Sequence, residues 1–217
     1  MIRIICLLIG YVFGIFQTAY FYGKMHGIDI RSVGSGNAGT TNALRVLGRK
    51  AGLIVLAGDI LKTMIAILIV KLAFGPNYPD MIYLLVIYTA AGAILGHNYP
   101  FYLGFKGGKG IAATAGLILS FHPWFILVGV LAFFVTFFTT HYVSLGSLLV
   151  YLFFMIQLVV CGQTGFFAEM SQSAIYEMYM VGAFLMAMAY WRHRSNIVKL
   201  LNGTERKTYL SKKNKVD

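Results

Sequence analysis

AGLIVLAGDILKTMIAILIVKLAF, residues 51–74, decides the fold class of this chain. Its only charged side chains are Asp59, Lys62 and Lys71. A helix rises 1.5 Å per residue, so the stretch reaches about 36 Å, enough to cross a hydrocarbon layer of about 30 Å. Asp59 and Lys62 are i,i+3 on one helix face and can neutralise each other. Ionisable residues within a span are functional suspects by default. Their self-pairing here favours a structural role.

Working outward, apolar segments recur at 4–22, 81–95, 108–122, 124–139, 143–161 and 176–191, giving seven candidate spans with 51–74. Segments 81–95, 108–122, 124–139 and 176–191 are shorter than about 17 residues, the lower limit for a straight span. They must recruit flanking polar residues or line a groove open to water. Segment 4–22 has one preceding basic residue, Arg3, and no clear small-x-small cleavage site, so it reads as a permanent helix. The composition is 59% hydrophobic and 12% charged, against about 25% charged in soluble domains. The expected fold is an all-α integral membrane protein, one domain over 1–217, with 211–217 as a flexible basic tail.

The net charge is +11. In a soluble chain this would point to nucleic acid. Here the excess sits in loops beside apolar spans, so topology explains it first, and an anionic substrate or anionic lipid second; no nucleic-acid partner is expected. The first connector carries Lys24, Arg31, Arg45, Arg49 and Lys50 against Asp29, and the third carries Lys106 and Lys109. The segment after Trp191 has eight basic residues against Glu205 and Asp217. The second and fourth connectors have no Lys or Arg, and the sixth carries Glu169 and no base. The first and third connectors and the tail are therefore placed in the cytoplasm, with the N-terminus outside. Arg3 is a small contrary signal, and the fifth connector, around His141, is uncharged. Cys6 and Cys161 lack metal-ligand spacing and read as free thiols; no metal site and no cofactor are expected.

Two polar loops interrupt this apolar chain. The first is VGSGNAGTTNALR, residues 33–45. Its glycines allow close backbone approach, and successive N–H groups of such a loop can hold an anion. Gly34, Gly36, Asn37, Gly39 and Thr41 are the expected phosphate contacts, with Ser35 and Arg45 beside them. GSGNAG also matches G-x-G-x-x-G, and Asp59 follows at dinucleotide-fold spacing, but Asp59 lies in an apolar span and no βαβ unit surrounds it. A plain small-residue turn is the alternative. The second loop, GFKGGKG, offers Lys106, Gly107, Gly108 and Lys109, with a helix expected to start at Gly108 and turn its positive end to an anion. It is no P-loop: the glycine spacing is short, and Gly110 stands where a Mg²⁺-binding hydroxyl belongs.

Further polar groups lie at the same membrane face. Ser144 and Ser147 share a helix face, where capping or packing is the ordinary role. His193 and Asn196 are i,i+3 in HRSNIVKLLNGTERK, which reads either as a plain basic amphipathic segment or as one whose His, Arg, Asn and Glu close a substrate site at one membrane face. His26, His97, His122 and His141 are single interfacial histidines and favour structure. An H-x-x-x-x-D acyltransferase motif is absent.

Together S-x-G-S-G-N-x-G (32–39), G-H-N-x-P…F-K-G-G-K-G-x-A-x-T and H-R-x-N-I…G-T-E resemble the bacterial membrane-bound glycerol-3-phosphate acyltransferases that use acyl phosphate, over nearly the whole chain. The resemblance implies seven helices, cytoplasmic active-site loops in the bacterial cell membrane, and synthesis of 1-acylglycerol 3-phosphate. It implies phosphate clamping by Ser35, Arg45 and Lys109, with glycerol 3-phosphate held by Ser144, His193 and Asn196. Lys199 departs from the Arg common in the family. The chemistry suits these residues. Acyl phosphate is already activated, so the site needs only to bind phosphates, hold the hydroxyl near the acyl carbon and stabilise departing charge. A small transporter of an anionic metabolite is the rival, but its site would sit at mid-membrane between repeats, and no repeat is visible. A lipid-binding scaffold would leave both glycine loops unexplained.

Overall fold

The computed structural model describes residues 1–209; the tail expected at 211–217 lies outside the described residues. Among these residues the chain forms ten α-helices and no strand. They are α1 (Ile2–Gly14), α2 (Thr18–Met25), α3 (Thr40–Leu47), α4 (Arg49–Phe74), α5 (Ile82–Asn98), α6 (Ile111–Phe121), α7 (Pro123–Thr140), α8 (Val143–Gln163), α9 (Gln172–Arg192) and α10 (Arg194–Leu201).

Five helical segments are long and apolar enough to cross a membrane: Ile2–Met25, Arg49–Asn77, Pro79–Leu103, Pro123–Thr140 and Val143–Gln163. The other two expected spans correspond to α6, which is apolar but only 11 residues long, and α9, which is long but less apolar. Large apolar side chains such as Leu53, Leu68, Leu72, Leu131, Val135 and Phe138 point outward. So large an apolar surface suits hydrocarbon and not water. α7 is the extreme case, with only Phe125, Gly129 and Phe137 buried.

Two features differ from the sequence expectation, and a third lies outside it. The helix expected over 4–22 is two helices, broken between Gly14 and Thr18. Backbone freed at membrane depth must find partners within the protein. Tyr102 Oη donates to Ile15 O at 2.8 Å, and Lys62 Nζ donates to Phe16 O at 2.7 Å. Second, α6 starts at Ile111 rather than Gly108, because Gly110 takes a left-handed φ of +81° as its cap. Third, α1 and α5 meet through a glycine seam. A Cβ at Gly10 would lie 1.9 Å from Thr89 O, and one at Gly92 would lie 2.0 Å from Leu7 O. Gly10 and Gly14 lie against Thr89 and Ala93 of α5, and Gly92 and Gly96 lie against Leu7 and Tyr11 of α1, a small-xxx-small pattern on both helices that brings the backbones together.

α7 begins where Pro123 supplies the first-turn φ and the His122 ring accepts from Trp124 N. Ser171 caps α9, its Oγ accepting from Ala174 N at 3.3 Å. The main apolar core lies among α5–α9, with Leu84, Ile94, Leu117, Phe125, Tyr151 and Met178 buried. A smaller cluster of Ala19, Ile30, Ala38, Ala43 and Val55 supports the first polar loop from below.

Candidate active site

The three basic segments, far apart in sequence, converge on one cavity of about 540 Å³. Its wall takes Asp29, Arg31, Ser32, Ser35, Gly36 and Asn37 from the first connector, Lys106, Gly107 and Lys109 from the third, and Arg192, Asn196 and Lys199 from the end of α9 and from α10.

The first loop is shaped by a residue that sequence reading passed over. Asn42 on α3 is buried; its Oδ1 accepts from Ser35 N at 2.8 Å, and its Nδ2 donates to Ile30 O and Val33 O at 3.0 Å each. Gly34 (φ +65°) and Gly36 (φ +71°) make the bends, and a Cβ on Gly34 would lie 2.3 Å from Asn42 Oδ1. Asp29 and Arg31 pair at 2.8 Å, and that contact holds the Asp29 carboxyl down at about 2. Arg31 also donates to Leu103 O at 3.3 Å, tying the first connector to the third.

The second loop lies on the end of α5. Gly107 N donates to Asn98 O and Gly108 N to His97 O, each at 3.1 Å. A Cβ on Gly108 would fall 2.1 Å from His97 Nε2. These glycines therefore serve close approach to α5, and their N–H groups are spent within the chain rather than offered to a phosphate. The first loop behaves similarly in part: Gly36 N donates to Val33 O and Gly39 N to Asn37 O, each at 3.0 Å.

Below the second loop is a buried ionic cluster. Lys62 Nζ lies 2.9 Å from Asp59 Oδ1 and 2.9 Å from His97 Nδ1, while Thr18 Oγ1 donates to Asp59 at 3.1 Å. Gln17 Nε2 donates to His97 O at 2.9 Å. The self-pairing expected of Asp59 and Lys62 is present, and His97 joins it. The cluster holds the α1–α2 break, α4 and the floor of the glycine loop in one register.

The third segment completes the wall. Lys109 Nζ donates to Asn196 Oδ1. Asn196 Nδ2 donates to Glu205 Oε1 at 2.7 Å, and Ser144 Oγ donates to the same oxygen at 2.8 Å. Glu205 thus gathers three expected site residues into one network. Burial lowers the Lys109 ammonium pKa to about 8, and Glu205 partly offsets it. Burial, with the Lys109 charge behind it, lowers His193 to about 4. His193 is thus neutral at pH 7, its Nδ1 donating to Ala189 O at 2.8 Å and leaving Nε2 as an acceptor.

Of the expected residues, Ser35, Gly36, Asn37, Lys106, Gly107, Lys109 and Asn196 line the cavity. Ser144 and His193 are buried close behind it. Gly34, Gly39, Thr41 and Gly108 lie in or beside its loops but not on the wall. Arg45 is exposed on α3, away from the wall. Sequence reasoning did not single out Asn42 or Arg192. Asn42 carried no distinguishing signal among the polar residues of its loop, and Arg192 looked like any charge at a span end.

The sequence matches the family profile described as glycerol-3-phosphate acyltransferase over residues 4–203. It is 40% identical to the glycerol-3-phosphate acyltransferase of Clostridioides difficile (strain 630), covering 94% of each chain. It is 37% identical to that of Bacillus cytotoxicus, covering 99% of each. The fold superposes on the crystal structure of PlsY (YgiH), an integral membrane glycerol 3-phosphate acyltransferase in its glycerol 3-phosphate form. That match has a TM-score of 0.82 at 32% identity, over 95% of this chain and 96% of that one. The lysophosphatidic acid form of the same protein matches with a TM-score of 0.79 at 31% identity, over 96% of each. A membrane bundle with one cation-lined polar cavity, matched in sequence and in shape along almost its whole length, belongs to the glycerol-3-phosphate acyltransferase family.

Proposed function

We propose that this chain transfers an acyl group from an acyl phosphate to glycerol 3-phosphate, giving 1-acylglycerol 3-phosphate and inorganic phosphate without a cofactor. The carrying observation is the network Lys109–Asn196–Glu205–Ser144 at a cavity walled by cations. The glycerol hydroxyl oxygen attacks the acyl carbon, and the bond from that carbon to the phosphate oxygen breaks. The hydroxyl proton passes to a phosphate oxygen, so no protein base is needed. Lys109, Lys106 and Ser35 hold phosphate charge as it develops. Asn196, Ser144 and the lone pair of neutral His193 orient glycerol 3-phosphate. Gly34, Gly36, Asn37, Gly39 and Thr41 set the first loop, and Gly107 and Gly108 set the second. Arg45 acts from outside the wall, raising the local concentration of anions.

In this reading the whole chain, 1–217, is one domain with seven spans, α6 and α9 joining the five long apolar segments. The N-terminus is outside and the cavity faces the cytoplasm of a bacterial cell. Convergence of the three basic segments supports this orientation. Purified protein in detergent, given palmitoyl phosphate and glycerol 3-phosphate without coenzyme A, should form lysophosphatidate. Replacing palmitoyl phosphate by palmitoyl-coenzyme A should give little product. Equal rates with both donors would overturn the choice of donor.

A further inference from the structure

Arg192 is the last residue of α9 and reaches the cavity wall. Its Nη2 donates to Gly107 O at 3.1 Å and Gly108 O at 2.6 Å, and its guanidinium sits 5.3 Å from the centre of the Tyr99 ring. That occupies one corner of a fork with five N–H donors. Nε is buried with no partner among the described residues. Among the described residues Arg192 forms no ion pair, whereas Arg3 pairs with Glu177 and Arg31 with Asp29. Among the described residues Asp29 is the one carboxylate on the cavity wall, and Arg31 already occupies it. Lys109 nearby also lacks an ion pair and donates to an amide instead.

The wall therefore carries two cations, each partly withdrawn from water, with no direct counter-charge. Such a charge is costly until an ion of opposite sign completes it. Nη1, which has no hydrogen-bond partner among the described residues, is left to donate to a phosphate oxygen. The need is sharpened by the glycine loop, because the amides of Gly107 and Gly108 are turned to α5 and give a phosphate nothing. We propose that Arg192 is a substrate-phosphate ligand, with the phosphate as its missing counter-ion and Nη2 holding the loop carbonyls. The identity of the phosphate as part of a donor or acceptor rests on the acyl-transfer reading; the phosphate site itself does not.

Arg192→Gln and Arg192→Lys test this, with Arg49→Gln, an exposed charge at the start of α4, as the control. Inorganic phosphate binding is measured by calorimetry, the KM for glycerol 3-phosphate and for palmitoyl phosphate by turnover, and folding by detergent melting. Arg192→Gln should weaken phosphate binding at least tenfold and raise the KM of the substrate whose phosphate Arg192 holds, and Arg192→Lys should do so less. A rise for glycerol 3-phosphate alone assigns the acceptor, and one for palmitoyl phosphate alone assigns the donor. Native phosphate affinity and native KM values in Arg192→Gln, with only a lower melting temperature, would reduce Arg192 to a loop clamp. Equal losses in Arg192→Gln and Arg49→Gln would equally overturn the site. Should Arg192→Gln not fold, Arg192→Lys is read by the same criteria. Native protein that binds phosphate through Arg192 but makes no lysophosphatidate would keep the site and discard the reaction.

Discussion

At the scale of single residues, Lys109 sets the pH behaviour. Its ammonium is held at about 8 by burial, so the free enzyme loses this charge as pH rises through about 8. Because kcat/KM reports the free enzyme, it should fall across that range, and Lys109→Arg, which stays charged, should flatten that limb. Stability should move the other way. Between about 8 and the ordinary lysine value the unfolded chain binds more protons than the folded one, so this residue makes stability rise with pH. A kcat/KM profile with no alkaline fall would show that Lys109 does not need its charge. Asn42 offers a second test. Removing its side chain takes away three hydrogen bonds to the first loop, each worth about 0.5–1.5 kcal/mol. Asn42→Ala should lower both the melting temperature and kcat/KM, since Ser35 is anchored through it; unchanged kinetics would separate the loop's shape from catalysis.

At the scale of elements, two kinds of glycine should behave oppositely. Gly92 sits in the α1–α5 seam, where an added methyl would meet Leu7 O at 2.0 Å. Backbone must move to admit it, and overpacking of this kind costs about 1–3 kcal/mol. Gly92→Ala should lower the melting temperature and leave KM and kcat of the folded fraction unchanged. Gly36 has φ +71°, and its Cβ would lie 3.1 Å from Arg31 O, a tight contact that a shift of a few tenths of an ångström would relieve. Gly36→Ala strains a loop on the cavity wall and should raise KM or abolish turnover while the bundle still inserts and melts near the native temperature. Measuring melting and kinetics on both variants distinguishes a seam from a site. The reverse pattern would move the functional role from the loop to the seam.

At the scale of the whole molecule, the proposed orientation rests on the charge distribution. Single cysteines placed in a background lacking Cys6 and Cys161 should report it in intact cells. Asn77→Cys and Gln172→Cys should react with an impermeant thiol reagent, and Lys24→Cys should not. Reversed labelling would put the cavity on the outer face, away from a cytoplasmic substrate. The structure already brings the expected inner segments together. Arg31 bonds to the third connector, Lys109 to α10, and Thr208 N donates to His141 O at 2.9 Å, which joins the uncharged fifth connector to the same end.

The sequence by itself determined the membrane-embedded helical class and the family. Hydrophobic length and the placement of Lys and Arg are properties of a segment and its neighbours, and the three polar motifs stand in a fixed order. It also named most of the cavity wall, because phosphate chemistry demands recognisable residue types. The tertiary structure decided what depends on distance between segments remote in sequence. Glu205 gathers Ser144 and Asn196, Arg192 grips the glycine carbonyls, and Asn42 shapes the first loop. It also assigned the glycines their physical task. Gly107 and Gly108 were expected to offer N–H groups, but α5 takes those groups and needs the missing side chains for contact. Local pattern shows that a backbone can approach something closely; only packing selects what it approaches.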